Sequence, residues 1–122
     1  MTKSIHIVGK FASEDAALLS RTIKSKYQGA FEIVPHADQN AFTNAVRPDQ
    51  MPSVLVLGNR LSAMMAGDFA AKLRREGYKG KIFVYTGGIE VAKTQDVDAV
   101  FYKPGDANKI VNVLILALHA AR

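Results

Sequence analysis

Apolar and polar positions follow two periods along the chain, one typical of strands and the other of helices. Apolar residues that recur every three or four positions predict helices over about 14–27, 39–47, 62–76 and 107–121. Between Thr86 and Lys103 only about two turns of a further helix fit. Short apolar or alternating runs predict five strands, at residues 4–8, 30–36, 53–57, 81–86 and 99–103.

The order of these elements predicts the fold class. A strand that is followed by a helix and then by another strand forms a parallel pair, so repeated alternation favours a parallel sheet covered on both faces. The third strand, "SVLVL", is apolar throughout, as expected for a strand buried on both faces. Pro35 in the second strand suits a sheet edge. We therefore expect one α/β domain over residues 1–122, a flavodoxin-like doubly wound sheet with strand order 2-1-3-4-5 and a shortened fourth helix.

Three residues are predicted to mark helix ends. Ser13 is the expected N-cap of the first helix, and Asp106 is the expected N-cap of the last, since both side chains can accept a backbone N–H. Gly77 is the expected stop of the third helix.

Composition removes several classes of site. The chain has no cysteine, which excludes disulfides, thiolate metal sites and cysteine nucleophiles. Its histidines, His6, His36 and His119, lie far apart without metal-ligand spacing, and we interpret His6 and His119 as structural. The segment "VGKFASED" after the first strand matches neither a dinucleotide-binding loop nor a P-loop, and no nucleophile motif is present. We expect no cofactor, no metal and no enzymatic activity.

Charge and hydropathy bear on the cellular location of the protein and on the class of its partners. The net charge is +5, and basic residues cluster only in "KLRREGYKGK" at 72–81, which we interpret as solvated helix ends rather than a nucleic-acid site. The apolar stretch near the N-terminus is too short for a signal peptide, and no segment approaches the length of a membrane span. A cytoplasmic protein is expected.

Two short segments carry a family resemblance. In "YTGG" and "YKPGD", Thr86 would end the fourth strand and Lys103–Pro104 the fifth. Over its whole length the chain resembles the receiver domain of bacterial response regulators, which has a Thr or Ser and a Lys-Pro pair at these places. The resemblance implies phosphoryl transfer to an Asp that ends the third strand, assisted by a divalent cation held by that Asp and an acidic pair at the end of the first strand.

The sequence departs from this family at the residues that carry the chemistry. The acidic pair corresponds to Gly9 and Lys10, and the phosphoacceptor corresponds to Gly58 or to Asn59. None of these side chains is a carboxylate, and Mg²⁺ prefers oxygen ligands, usually including carboxylates. We therefore expect a degenerate phosphorylation site that comprises Gly9, Lys10, Gly58, Asn59, Thr86 and Lys103.

Two hypotheses about function remain open. The first is a phosphorylation-independent signalling module of a bacterial two-component-type system, which docks on another protein or forms a homodimer through its fourth helix, fifth strand and last helix. Exposed apolar surface of this kind usually marks an interface. The expected interface residues are Phe101, Tyr102, Ile110, Val113, Leu114, Ile115 and Leu116.

The second hypothesis is a sensor that binds a small anion or nucleotide at the degenerate site. Its predicted ligands are Lys10, Thr86 and Lys103, with backbone N–H groups at glycines that permit close approach. The opposing interpretation is that the two lysines are solvated or pair with local carboxylates. The glycines expected to contribute N–H groups are Gly9, Gly58 and Gly87.

Overall fold

A computed structural model of the protein describes residues 3–88 and 94–121. Helices cover both faces of one parallel sheet. The strands are β1 (Lys3–Val8), β2 (Phe31–His36), β3 (Val54–Leu57), β4 (Lys81–Thr86) and β5 (Ala99–Tyr102). The helices are α1 (Ala12–Lys24), α2 (Gln39–Ala45), α3 (Ala66–Arg75) and α4 (Ala107–Ala120), with a short 3₁₀ turn at Pro48–Gln50. The predicted fourth helix falls largely on residues 89–93, which lie outside the described residues.

The sheet has the predicted strand order, β2-β1-β3-β4-β5, and all four strand pairings are parallel. Every residue of β3 is buried, because this central strand is covered on both faces. Pro35 lies in the edge strand β2, where a missing N–H leaves no ladder bond unmade on the outer side. The flavodoxin-like α/β fold is confirmed.

The core has two halves, one on each face of the sheet. Because side chains alternate along a strand, Ile5 and Ile7 of β1 pack towards α1 and α4, whereas Val8 packs towards the opposite half. Phe42 of α2 and Phe69 of α3 lie in that second half with their rings edge to face, 5.9 Å apart. Each half joins strands that are distant in sequence, so the sheet is fixed from both sides.

The helix ends differ from the prediction in their details. α1 begins at Ala12, whose N–H donates to the carbonyl of Gly9 at 3.1 Å, so Ser13 lies within the first turn and caps nothing. Asp106 is at the N-cap of α4 as predicted, but its carboxylate accepts from the N–H of Tyr102 instead of from a helix N–H. Gly77 ends α3 with a φ of 99°, as a glycine stop requires.

The third helix starts four residues later than predicted. The segment before it forms a tight turn in which the N–H of Leu61 donates to the carbonyl of Met64. Arg60 and Met65 form an isolated antiparallel β-bridge across this turn. This turn satisfies backbone groups that a helix over 62–65 would have used internally. It also directs Arg60 towards the carboxyl edge of the sheet, where it lines a cavity.

One residue of the basic cluster at 72–81, Arg74, has a structural role. The guanidinium of Arg74 donates to the carbonyls of Tyr78 (2.9 Å), Gly80 (2.7 Å) and Asp96 (3.3 Å), and to the carboxylate of Asp98 (3.1 Å). One side chain therefore connects the end of α3 to the starts of β4 and β5. A cation that is used in this way is not available to a nucleic-acid backbone.

Candidate functional site: the carboxyl edge of the sheet

The predicted site residues meet at one edge of the sheet. The carboxyl ends of the parallel strands lie side by side, so residues that follow different strands converge there. They line a cavity of about 460 Å³. Of its lining, the residues predicted from the sequence are Gly9, Lys10, Gly58, Asn59, Thr86, Gly87 and Lys103.

Lys103 is held by a carboxylate that site prediction from the sequence did not assign to it. Its Nζ lies 2.7 Å from Oδ2 of Asp15, and the two side chains are 24% and 14% exposed. The same ammonium lies 5.0 Å from the ring centre of Tyr85 and 5.4 Å from that of Phe11. Lys103 is thus paired and partly covered by two aromatic rings, which strengthens an ion pair relative to one in bulk water.

The position of Asp15 follows from the start of α1. The helix begins at Ala12 rather than after Ser13, so Asp15 is the fourth residue of α1, in its first turn, and it lines the cavity. The sequence offered one signal, since Glu14 and Asp15 are the acids nearest to the missing acidic pair. It offered none for the contact with Lys103, which is 88 positions away.

Two of the three glycine N–H groups predicted to face an anion are already used within the fold. Gly9 donates to the carbonyl of His36 and Gly58 to that of Val8, both at 2.9 Å. The N–H of Gly88 donates to the hydroxyl oxygen of Thr86 at 3.0 Å. The expectation that Gly9 and Gly58 would offer N–H groups to an anion is therefore wrong, because both groups donate to carbonyls at the ends of neighbouring strands.

The mouth of the cavity is cationic and partly aromatic. Lys10 is exposed, and its ammonium lies 5.6 Å from the ring centre of Phe11, a residue that is itself 55% exposed. Arg60 also lines the cavity and is exposed. Burial raises the pKa of Tyr85, and the negative charge of Asp15 raises it further. The phenol therefore stays neutral beneath the ion pair.

The cavity does not match the needs of Mg²⁺. Among its lining residues, Asp15 supplies the one carboxylate, and that group pairs with Lys103. No group of three or more potential metal-ligating side chains occurs in the part of the chain that the structure describes. Two further cations at the mouth, Lys10 and Arg60, would repel a divalent ion.

A histidine pair lies on the neighbouring strands. Nδ1 of His6 is 2.8 Å from Nε2 of His36, and the ring of Phe42 meets both imidazoles edge on. Burial lowers the pKa of His6 to about 4, with a further contribution from His36, and burial also lowers the pKa of His36. The predicted strand order already made these two strands neighbours, but it did not reveal that the two imidazoles meet.

Part of the predicted interface is buried within the chain itself. Phe101, Ile110 and Leu114 belong to the hydrophobic core and are at most 8% exposed, so their prediction as interface residues is wrong. The apolar run in α4 is wide because this helix packs on the sheet and on α1 together. Leu116 is 66% exposed, and Val113 is half-buried.

The other two predicted interface residues are half-buried. Ile115 precedes His119 by one helical turn, and the ring of His119 meets Tyr27 at the end of α1, 5.0 Å between centroids. Ile115 therefore lies on the flank of α4 that faces α1. Tyr102 lies at the end of the edge strand β5, next to the carboxyl edge.

Comparison with known proteins gives matches among solved structures only, since no family model and no curated protein matches the chain. The signal receiver domain of a candidate Luxo repressor protein from Vibrio parahaemolyticus superposes with a TM-score of 0.75, at 17% identity, over 98% of this chain and 92% of that one. The chain has the fold of a response-regulator receiver domain.

Further receiver domains superpose almost as well. The response regulator TrrA from Thermotoga maritima, solved in complex with Mg²⁺-BeF, gives a TM-score of 0.74 at 12% identity over 95% of this chain and 99% of that one. The chemotaxis response regulator CheY4 from Vibrio cholerae gives 0.67 at 15% identity over 96% and 99%. None of the helices in the described part of the chain is long and apolar enough to cross a membrane.

Proposed function

We propose that this receiver fold is a phosphorylation-independent signalling module of a bacterial, cytoplasmic two-component-type system, which acts by docking on a protein instead of by enzymatic phosphotransfer. The observation that carries the proposal is the pairing of Lys103 with Asp15 in a cavity whose strand ends offer Gly9 and Gly58. The end of β3 offers no carboxylate to become an acyl phosphate, and the single carboxylate of the cavity, that of Asp15, pairs with Lys103 and does not provide the several oxygen ligands that Mg²⁺ needs.

The ion pair also replaces an interaction that would otherwise require a ligand. A partly covered lysine is stabilised by an opposite charge nearby. In this chain Asp15 provides that charge permanently, from α1 of the same molecule. The site is thus electrostatically satisfied without a phosphoryl group, which supports a single, constitutive conformation of this edge.

The docking surface that we favour lies on α4. Leu116 projects into solvent with 66% of its surface exposed, and the half-buried Val113 lies one turn earlier on the same side of the helix. Apolar groups in this position gain free energy when a partner covers them. A second copy of the chain is the simplest partner, and a different signalling protein is the other.

Phosphorylation chemistry tests the proposal directly. The protein is incubated with acetyl phosphate and Mg²⁺, and its intact mass is measured beside that of a receiver domain with a complete acidic site. We expect no added phosphoryl mass and no change of the amide NMR spectrum on addition of beryllofluoride. An added phosphoryl group that maps to the segment around Asn59, or a beryllofluoride-dependent spectrum, would overturn the proposal.

The anion-sensor hypothesis receives less support from the contacts. Asp15 competes for Lys103, and the N–H groups of Gly9 and Gly58 are bonded elsewhere. Only Lys10 and Arg60 remain as exposed cations at the cavity mouth. Thermal unfolding in phosphate, sulfate and nucleotides distinguishes the two functions, since a ligand that binds only the folded state raises the melting temperature.

A further inference from the structure

A second cavity lies at the amino-terminal edge of the sheet, opposite to the degenerate site. It has a volume of about 450 Å³ and opens between α2, the loop after it and the end of α3. The loop over 46–52, which follows the seven-residue α2, forms one of its walls. Small-molecule sites typically have volumes of about 300–1,000 Å³.

The floor of this cavity is apolar and rigid. Phe42, Leu73 and Tyr78 contribute to it, and they are 2%, 5% and 8% exposed. The hydroxyl of Tyr78 donates to the carbonyl of Pro52 at 2.9 Å, which fixes the ring and leaves the oxygen free to accept a hydrogen bond. Such a floor favours a ligand with an aromatic or aliphatic body.

The rim carries a net positive charge. Lys72 and Glu76 line it and neutralise one another, with Nζ and Oε2 2.9 Å apart. Lys79 also lines the rim and is exposed, and no carboxylate of the described residues forms an ion pair with it. A ligand anion at this rim would therefore find one cation that lacks an opposite charge.

We propose that this cavity binds a small organic anion, with an aromatic or aliphatic body on Phe42 and Tyr78 and a single carboxylate directed to Lys79. The site lies at the amino-terminal edge of the sheet, whereas Lys103 and Asp15 lie at the carboxyl edge. It is therefore independent of phosphotransfer and of the docking surface on α4.

A set of matched probes tests the proposal. Hydrocinnamate, hydrocinnamyl alcohol and hydrocinnamyl amine share one apolar body and differ in charge. In amide-resolved NMR titrations of the whole chain, we expect hydrocinnamate to shift the signals of residues 77–80 and 46–52 saturably. An exposed ion pair contributes modestly, so the alcohol should bind about two- to fivefold more weakly and the amine more weakly still.

Variants place the binding in the cavity. Thr43 lines it, and Thr43→Trp should fill it and abolish the saturable shifts, whereas Asn44→Trp, exposed on the same helix but outside the cavity, should preserve them. Lys79→Glu should weaken hydrocinnamate binding without affecting the alcohol, and Lys24→Glu on α1 serves as its charge control. Melting temperatures of all variants confirm that they fold.

Several results would overturn the proposal. They are the absence of saturable shifts at this edge, equal binding of the alcohol and the carboxylate, and unchanged binding in a folded Thr43→Trp variant. Each contradicts this site without bearing on phosphotransfer, which is measured separately with acetyl phosphate.

Discussion

The ammonium of Lys103 and the carboxylate of Asp15 form an ion pair of 2.7 Å across 88 positions of sequence. In this receiver fold the pair connects the end of β5 to the first turn of α1 at the edge where strands end. Both groups are mostly covered, so neither is replaced easily by water.

Removal of either member of this pair should destabilise the fold. We expect Lys103→Ala to lower the free energy of unfolding by about 1–3 kcal/mol, because it leaves a largely covered carboxylate without its partner. The double variant with Asp15→Ala should lose less than the sum of the single losses. Urea unfolding of the two single variants and the double variant measures this coupling. Lys10→Ala, at an exposed lysine of the same cavity, is the matched control and should change the free energy of unfolding by at most about 0.5 kcal/mol. Additive losses would argue against the pair.

Restoration of the missing acceptor should not restore phosphorylation. A Cβ at Gly58 would lie 3.7 Å from the carbonyl oxygen of Val8, which is an ordinary van der Waals contact, so Gly58→Asp should fold. It should nevertheless gain no phosphoryl group from acetyl phosphate and Mg²⁺, because Gly9 and Lys10 still offer no carboxylate for the cation. Intact mass reports whether a phosphoryl group is gained, and a melting curve reports whether the variant folds. Stoichiometric phosphorylation of this variant would show that the cation site does not require those residues.

Arg74 should be a far more important residue than its neighbour Arg75. Arg74→Ala should lower the free energy of unfolding by about 2–3 kcal/mol, because the carbonyls of Tyr78 and Gly80 and the carboxylate of Asp98 lose a shared donor. Arg74→Lys should recover only part of this loss, since an ammonium lacks the planar fork of donors. Arg75→Ala, on the exposed side of the same turn, should be nearly neutral. Equal effects of the two alanine variants would contradict the structural role of Arg74.

The histidine pair should make the fold less stable in mild acid. The pKa of His6 falls from 6.5 to about 4 on folding, so between these values the unfolded chain binds more protons than the folded one. The contribution of His6 to the free energy of unfolding is therefore complete above pH 6.5, and it decreases as the pH falls towards 4. Urea unfolding over this range should show the decrease, and His6→Gln should flatten it.

His119→Gln is the matched control for this pH dependence, because His119 is exposed and lies away from the pair. It should retain the decrease seen in the unaltered protein. A profile that remains unchanged in His6→Gln would show that other groups cause the acid sensitivity.

Self-association should depend on one leucine and not on another of similar exposure. Sedimentation at tens of micromolar should give a mass above the 13.3 kDa of a single chain, and Leu116→Glu should return it to the monomer. Leu18→Glu on α1, where the leucine is 61% exposed, should leave the association unchanged. A monomer under these conditions would contradict the homodimer and assign the surface of α4 to a different partner.

The local pattern of the sequence was sufficient for the five strands, the four described helices and their order. The continuous apolar run of β3 predicts a strand buried on both faces, and the alternation of strands with helices predicts parallel pairing, because each crossover must return through a helix. Gly77 marks the end of α3, since a left-handed backbone there strongly favours glycine. The absence of carboxylates from positions 9, 10, 58 and 59 is likewise a property of the sequence, and it requires only the strand ends to be placed correctly.

Tertiary structure alone decided which groups meet. Lys103 could have paired with any nearby acid or remained in water, and it reaches Asp15 because the first turn of α1 and the residue after β5 line the same cavity. His6 and His36 meet diagonally across β1 and β2, because the register of the two strands places His6 opposite Val34 and His36 opposite Val8. Apolar periodicity in α4 did not distinguish Leu114, buried against the sheet, from Leu116, which is exposed, because both are leucines and only packing removes one of them from water. Periodicity reports which residues can be buried together, whereas pairing and exposure depend on contacts between segments that the sequence keeps far apart.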